Sequence, residues 1–313
     1  MKKGVANMIL ALMLALLTVS FSAAQTDPAY SRNIFNMQMA NPAYAGTWAG
    51  TGYLVNIRKQ WIGIEGAPFT QAFTFQKQHY KQYIGWGFSI LHDQVGLEKR
   101  LALFGDYSYR IELDWKSYLY FGLKAGFTNY VNNLNDYTIY DPDHPVDPVF
   151  QGVIHRYFVP NFGVGVLLQS EIWQVGISVP KIIQLEYDSN VTDVNSYSEL
   201  RHFFFSGSYI FDLKHGYFLK PSLQLLVVKG APLELGASLD LLFFKKMWLG
   251  GFYRYNETAG VTAQWIFSKK MRFGYSYEFP VTDLARHQFG THEVMFSYEL
   301  NFTRNNRYNF RFF

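Results

Sequence analysis

The sequence predicts an all-β fold: a transmembrane antiparallel β-barrel of about fourteen strands, with short periplasmic turns and longer extracellular loops. Three observations predict it. The chain opens with a secretory leader, it then alternates apolar and polar residues in segment after segment, and the gaps between those segments include long ones only at every second position.

The leader comes first. Lys2 and Lys3 precede an apolar run from Ile9 to Val19, broken only by Thr18, and Ser22-Ala23-Ala24 supplies the small residues that signal peptidase needs. Residues 1–24 therefore read as a signal peptide rather than a structural helix, and the run falls short of the ~20 apolar residues of a membrane-spanning helix. The chain has no cysteine, so it carries neither a lipoprotein anchor nor a disulfide framework. The expected address is the bacterial outer membrane.

Composition agrees. Hydrophobic residues make up 49% of the chain, yet no later stretch approaches the ~18 consecutive apolar residues of a membrane helix. The wealth of aromatics, 23 Tyr and 29 Phe, suits a barrel facing lipid. The formal charge is +4; without Lys2 and Lys3 it is +2, too weak a surplus for a nucleic-acid partner.

Alternation is clearest in the second half. In "MRFGYSYEF", Phe273, Tyr275, Tyr277 and Phe279 share one face, while Arg272, Gly274, Ser276 and Glu278 share the other. "HEVMFSYEL" and "PLELGASLDLL" repeat the pattern. A secreted β-sandwich would alternate as well, so the gaps decide. Candidate strands start near Thr51, Thr70, Tyr83, Leu101, Ser117, Phe162, Ile172, His202, Tyr217, Leu233, Met247, Thr258, Met271 and His292. Every second connection is short ("YKQ", "LDWK", "SE", "LKHG", "FKK", "SKK"), and all the long ones fall between them. That asymmetry belongs to a barrel with both termini periplasmic. The barrel is expected over residues 51–302, preceded by an N-terminal segment, 25–50, able to enter it as a plug, and followed by a tail, 303–313. Pro221 lies inside a strand and predicts a bulge or rim position. Inward positions carry both charge signs (Arg58, Asp106, Arg110, Lys124, Lys220, Glu234, Asp240, Arg272, Glu278, Glu293 and Glu299), which predicts pairing across a filled lumen. Gly85, Gly87, Gly122, Gly126 and Gly163 fall mainly inward, where they allow curvature and close packing.

Two stretches stand apart from the strand pattern. "NPAYAG" places Asn41 and Pro42 at a turn start and Gly46 at its end, with Tyr44 as an anchoring ring between them. "RKQWIGIEGAP" follows, with Arg58, Gln60 and Trp61 ahead of a bend set by Gly63, Gly66 and Pro68. Plugging and rim closure are the structural reading of both, and docking is the functional one.

At these residues the chain resembles the PorP/SprF family. "DPAYSRNIFNMQMANPAYAG", "RKQWIGIEGAPFTQ", "GYSYEF" and "GTHEVMFSYEL" carry the resemblance, in that order, from about Asp27 to Leu300. It implies an outer-membrane barrel of type IX secretion and gliding motility. The partners it implies are membrane lipid, a periplasmic lipoprotein of the secretion machinery, and a secreted surface adhesin or other client. It implies no enzymatic chemistry and no cofactor.

The residues themselves suggest none either. Asp141, Asp143, His144 and Asp147 lie in "DPDHPVDP", where the prolines oppose the close wrapping of a calcium loop and the terminal Glu is missing; a solvated acidic loop is the reading. His92 beside Asp93, and His287 near Asp283, form no recognisable catalytic constellation. A channel for small or hydrophobic solutes behind an N-terminal plug is the rival to the secretion role.

The tail carries Arg304, Arg307 and Arg311 with no acid, and it ends on Phe313. A terminal aromatic suits an assembly signal, whereas Arg among aromatics also suits docking to an acidic partner. Assembly needs no partner, so deleting Asn305 to Phe313 should lower the amount of barrel in the outer membrane. A normal level, with loss of a salt-sensitive periplasmic partner on co-purification, would establish docking instead.

Overall fold

The computed structural model describes residues 35–48, 50–79, 83–114, 116–133, 154–186, 198–268 and 270–300. The leader, the tail, the "DPDHPVDP" loop and residues 187–197 lie outside them.

Fourteen strands form the wall: β1 (Thr51–Lys59), β2 (Phe69–His79), β3 (Ile84–Val95), β4 (Glu98–Glu112), β5 (Ser117–Asn133), β6 (Ile154–Ser170), β7 (Trp173–Val179), β8 (His202–Tyr209), β9 (Phe218–Val228), β10 (Glu234–Phe243), β11 (Met247–Arg254), β12 (Thr258–Ile266), β13 (Met271–Pro280) and β14 (Thr291–Leu300). Each pairs antiparallel with the next, and β14 returns to β1, with Thr51 opposite Leu300 and Lys59 opposite His292. The sheet therefore closes on itself. Closure leaves neither β1 nor β14 with an open edge, and in a bilayer an unpaired backbone group would cost several kcal/mol, of order 4–8 in an apolar solvent.

Thirteen of the expected starts fall within three residues of those observed, and the sixth strand begins at Ile154 rather than near Phe162. The added stretch contains Pro160, which pairs with Phe127 of β5 beyond the last β6–β7 pair, Val164 with Val179. An edge stretch loses no ladder bond to a missing N–H on its open side. Above that point the chain leaves β7 and turns inward. Pro180 and Lys181 are buried, the Ile182 amide donates to Phe162 O, and Asn161 clasps Ile182 and Ile183. A two-residue ladder, Leu185–Glu186 with Ser198–Glu199, spans the connection that follows.

Pro221 does not form a bulge. Its pairing with Leu239 of β10 is in unbroken register. What it interrupts is the other side: the β8–β9 ladder stops at Ser208 with Ser222 and resumes, in the same register, at Phe211 with Leu219. The missing N–H leaves a gap in the ladder rather than an extra residue.

The barrel is turned inside out relative to a soluble domain. Leu123, Trp86, Phe162, Val175 and Leu223 project outward, each more than half exposed in the isolated chain, while Asp106, Lys124, Asp240, Glu278 and Glu299 are buried within. An outward apolar belt with a polar interior is the pattern a lipid-facing barrel requires.

The interior is not empty. Residues 35–48 enter the lumen as α1 (Met37–Ala40) and a 3-10 turn, Pro42–Tyr44, packed against β4, β5 and β6. Ala40, Asn41, Ala43 and Ala45 are wholly buried.

Candidate functional site

The lumenal segment is seated where the wall has no side chains. A Cβ at Gly85 would stand 2.1 Å from Ala45 O, one at Gly122 2.1 Å from the Ala43 amide nitrogen, and one at Gly165 2.0 Å from Asn41 Oδ1. At Gly87 it would stand 2.4 Å from Gln38 Nε2, and at Gly176 3.0 Å from Asn41 Nδ2. These five glycines lie on four strands, β3, β5, β6 and β7, and together they form a cradle for the backbone of "NPAYAG". Gly46 adds the converse requirement. It adopts φ 76°, and a Cβ there would meet the Gly85 Cα at 2.5 Å, so both conformation and space demand glycine.

Within the cradle, several polar groups of the segment find partners on the wall. Asn41 Oδ1 accepts from the Ala43 amide at 2.9 Å, capping the 3-10 turn that Pro42 starts. Its Nδ2 donates to Val166 O at 3.1 Å and to Ile177 O at 3.4 Å, so one side chain ties the segment to both β6 and β7. Ser178 Oγ donates to Ala40 O, Ser108 Oγ to Ala45 O, and the Gly46 amide to Gln76 Oε1. Tyr44 packs its ring with Ala43, Tyr120 and Leu167, and burial pushes its phenol pKa upward, so it stays neutral.

Charge enters through Gln38 and its neighbours. Gln38 Nε2 donates to Asp106 Oδ2 at 2.9 Å, Lys124 pairs with Asp106 at 2.9 Å, and Lys124 Nζ also donates to Gln38 O at 3.3 Å. Elsewhere in the lumen Arg58 lies across the β1–β14 ladder from Glu293 and 3.5 Å from Glu278, and Asn56 Nδ2 donates to Glu293. Arg100 pairs with Asp93, which also accepts from Thr70 Oγ1, so Asp93 is held by partners other than His92. The expected mixed-sign pairing is present.

The second stretch lies elsewhere. Gln60 to Pro68 joins β1 to β2 at the opposite end of the barrel, and β1 separates it from "NPAYAG". Trp61, Gly63 and Gly66 all have positive φ (44°, 101° and 71°), and the Gln60 amide closes the loop onto Pro68 O at 2.9 Å. Ile62 exchanges backbone bonds with Gly290 and Phe289 of the β13–β14 loop, while Gly66 O accepts from the Gly96 amide of the β3–β4 turn. Trp61 is half-buried, and its amide donates to Thr291 Oγ1. At Gly63 a Cβ would stand 2.9 Å from the Phe289 ring. The loop thus knits three connections into one rim.

Sequence reasoning marked both stretches and, as inward glycines, Gly85, Gly87 and Gly122 of the seat. It missed Gly165 and Gly176 as parts of the seat, and it missed Gln76, Ser108 and Ser178 as its polar contacts. Arg304, Arg307, Arg311 and Phe313 lie outside the described residues. Among the described residues no group of three or more His, Asp and Glu is placed to hold a metal ion.

The cradle yields a direct expectation. In a chain without cysteine, Ala43→Cys is a clean reporter, buried in the seated segment. It should resist maleimide in the otherwise unchanged barrel and label at least tenfold faster once Gly165→Val is added. Circular dichroism should stay the same. Equal labelling rates in the two proteins would show that the segment does not depend on the glycine seat.

Fold and motifs can now be set beside known proteins. The barrel is similar to the CymD monoaromatic hydrocarbon channel, with TM-score 0.51, 12% identity, and coverage of 86% of this chain and 94% of that one. It overlays less closely on the Acinetobacter baumannii outer membrane protein Omp33, with TM-score 0.46, 8% identity, and coverage of 80% and 99%. At these identities the likeness is one of fold. No curated protein matches the chain significantly in sequence. The family model described as type IX secretion system membrane protein PorP/SprF matches residues 22–298, which takes in both the cradle segment and the rim loop. This chain is a member of the PorP/SprF family of outer-membrane β-barrels.

Proposed function

We propose that the barrel is a non-enzymatic adaptor of the type IX secretion and gliding machinery. In this reading its short turns and both termini face the periplasm and meet a lipoprotein of the machinery. Its long loops face outward and hold a secreted adhesin or other client. The observation that carries the reading is the seated segment: a lumen occupied by buried, hydrogen-bonded backbone is suited to docking, not to bulk flow. The rim loop supports it too, because Gly- and Pro-fixed loops on a rigid scaffold make a defined surface.

A plugged channel for small or hydrophobic solutes is the second reading. One observation favours it. Two small cavities, of about 30 and 60 Å³, remain beside Phe35 between the segment and the wall. Planar-bilayer recording separates the readings. The adaptor should conduct little until residues 35–48 are deleted; large, stable conductance of the intact barrel would make it a channel. Tyr44→Ala and Trp61→Ala should each reduce export of a type IX client by several fold while strand content by circular dichroism stays intact. Wild-type export at normal barrel level in both variants would remove the two stretches from function.

A further inference from the structure

We propose that the short-turn end of the barrel is a basic and aromatic collar that binds the phosphate headgroups of anionic phospholipid. This rests on the membrane-spanning fold and not on the adaptor reading.

The two ends of the barrel differ in charge. The six short connections, residues 80–83, 113–116, 171–172, 210–217, 244–246 and 267–270, carry seven lysines against three carboxylates, Asp114, Glu171 and Asp212. The seven connections at the other end, 60–68, 96–97, 134–153, 180–201, 229–233, 255–257 and 281–290, carry eleven carboxylates against four Lys and Arg. The near-neutral total therefore conceals a barrel that is basic at one end and acidic at the other.

The basic end is also built at a conformational cost. Lys214 and His215 adopt φ 68° and 52°, and Phe244 and Lys245 adopt 49° and 58°. Tight hairpins favour Asn-Gly at such positions, because a bulky side chain is strained at positive φ. Here the turns instead display two lysines, a histidine and a phenylalanine, all exposed. Phe244 is 68% exposed and Phe267 63%, at the ends of neighbouring hairpins that also carry the exposed Lys245, Lys246 and Lys270. Both rings are backed rather than free: Tyr217 lies 5.2 Å from Phe244, and Trp265 stacks on Phe267 at 5.8 Å.

Apolar rings beside ammonium groups at the margin of a lipid-facing belt match the two layers of a membrane interface. Turns this short cannot carry the lysines far from the headgroup plane. The hairpins β8–β9, β10–β11 and β12–β13 follow one another around the wall, so their lysines recur at roughly 10 Å, two strand spacings. An acidic protein would also meet the charge, but it would have no use for rings placed on the lipid side. If the short turns face the periplasm, the leaflet addressed is the inner one.

The test uses the full chain in nanodiscs of phosphatidylcholine with and without phosphatidylglycerol, reading retained phospholipid after detergent extraction by native mass spectrometry. Wild type should retain phosphatidylglycerol in preference, less so in raised salt, and inorganic phosphate should not displace it. The quadruple variant K214Q/K245Q/K246Q/K270Q should lose at least about fivefold of that retention, the effect of one lysine near an anionic surface. K229Q/R286Q, at the other end, should lose none. Should the quadruple fail to fold by heat-dependent gel mobility, K245Q/K246Q alone serves. Retention unchanged in the lysine variant, no preference for the anionic lipid in wild type, or displacement by inorganic phosphate would each overturn the proposal.

Discussion

The structure depends on a close approach of two backbones. At its closest approaches Asn41 to Gly46 lies nearer to the barrel wall than a side chain there would allow, and the wall has glycine at those points, Gly85, Gly122 and Gly165. Glycine in a strand weakens it, through lost packing and greater freedom in the unfolded chain. The lumenal segment returns what the strands give up, because its carbonyls and amides bond to Ser108, Ser178, Gln76 and the β6 and β7 backbone. Wall and segment are each incomplete alone.

That seat changes the physics of the remaining lumen. An open barrel of this size would hold water, in which a Lys124–Asp106 pair contributes little. With α1 in place both side chains are almost wholly buried, and Gln38 adds a donor to Asp106 and an acceptor to Lys124. A buried pair is strongly destabilising to break and needs its remaining hydrogen bonds met. The segment thus fills space and completes the polar network that its own presence makes dry.

Much of this was legible in the sequence. Period-2 alternation located all fourteen strands because one face meets lipid and the other a polar interior, which is the condition under which alternation is sharpest. The inward charges were legible for the same reason. Pro160 and Pro221 were harder, since a proline reports a missing donor but not which neighbour misses it. The glycine seat was hardest. Gly85, Gly122 and Gly165 look like any strand glycine until the segment that approaches them is known, and Asn41 lies 125 residues from its Val166 partner. Local sequence carries the permission for close approach and not the identity of what approaches.

The two unusual stretches are joined by a single strand, and this limits what can move. β1 runs from just after the lumenal segment to the rim loop, paired along its whole length with β2 and β14. A one-residue slip of β1 would turn Arg58 outward into lipid and Ile57 inward, so its register is locked. The rim loop is fixed in turn by its bonds to Gly290, Phe289 and Gly96. The approach to the other end of β1 is pinned as well: Gly50 O accepts from the Gln78 amide of β2, and Trp48 lies over Gly52, where a Cβ would meet its ring at 2.1 Å, with the Arg272 guanidinium 5.4 Å from it. Beyond Trp48 and Asn41 the lumenal segment is held by Ser178 on Ala40 O, Ser108 on Ala45 O, Gln76 on the Gly46 amide and Asp106 on Gln38, none of them residues of β1.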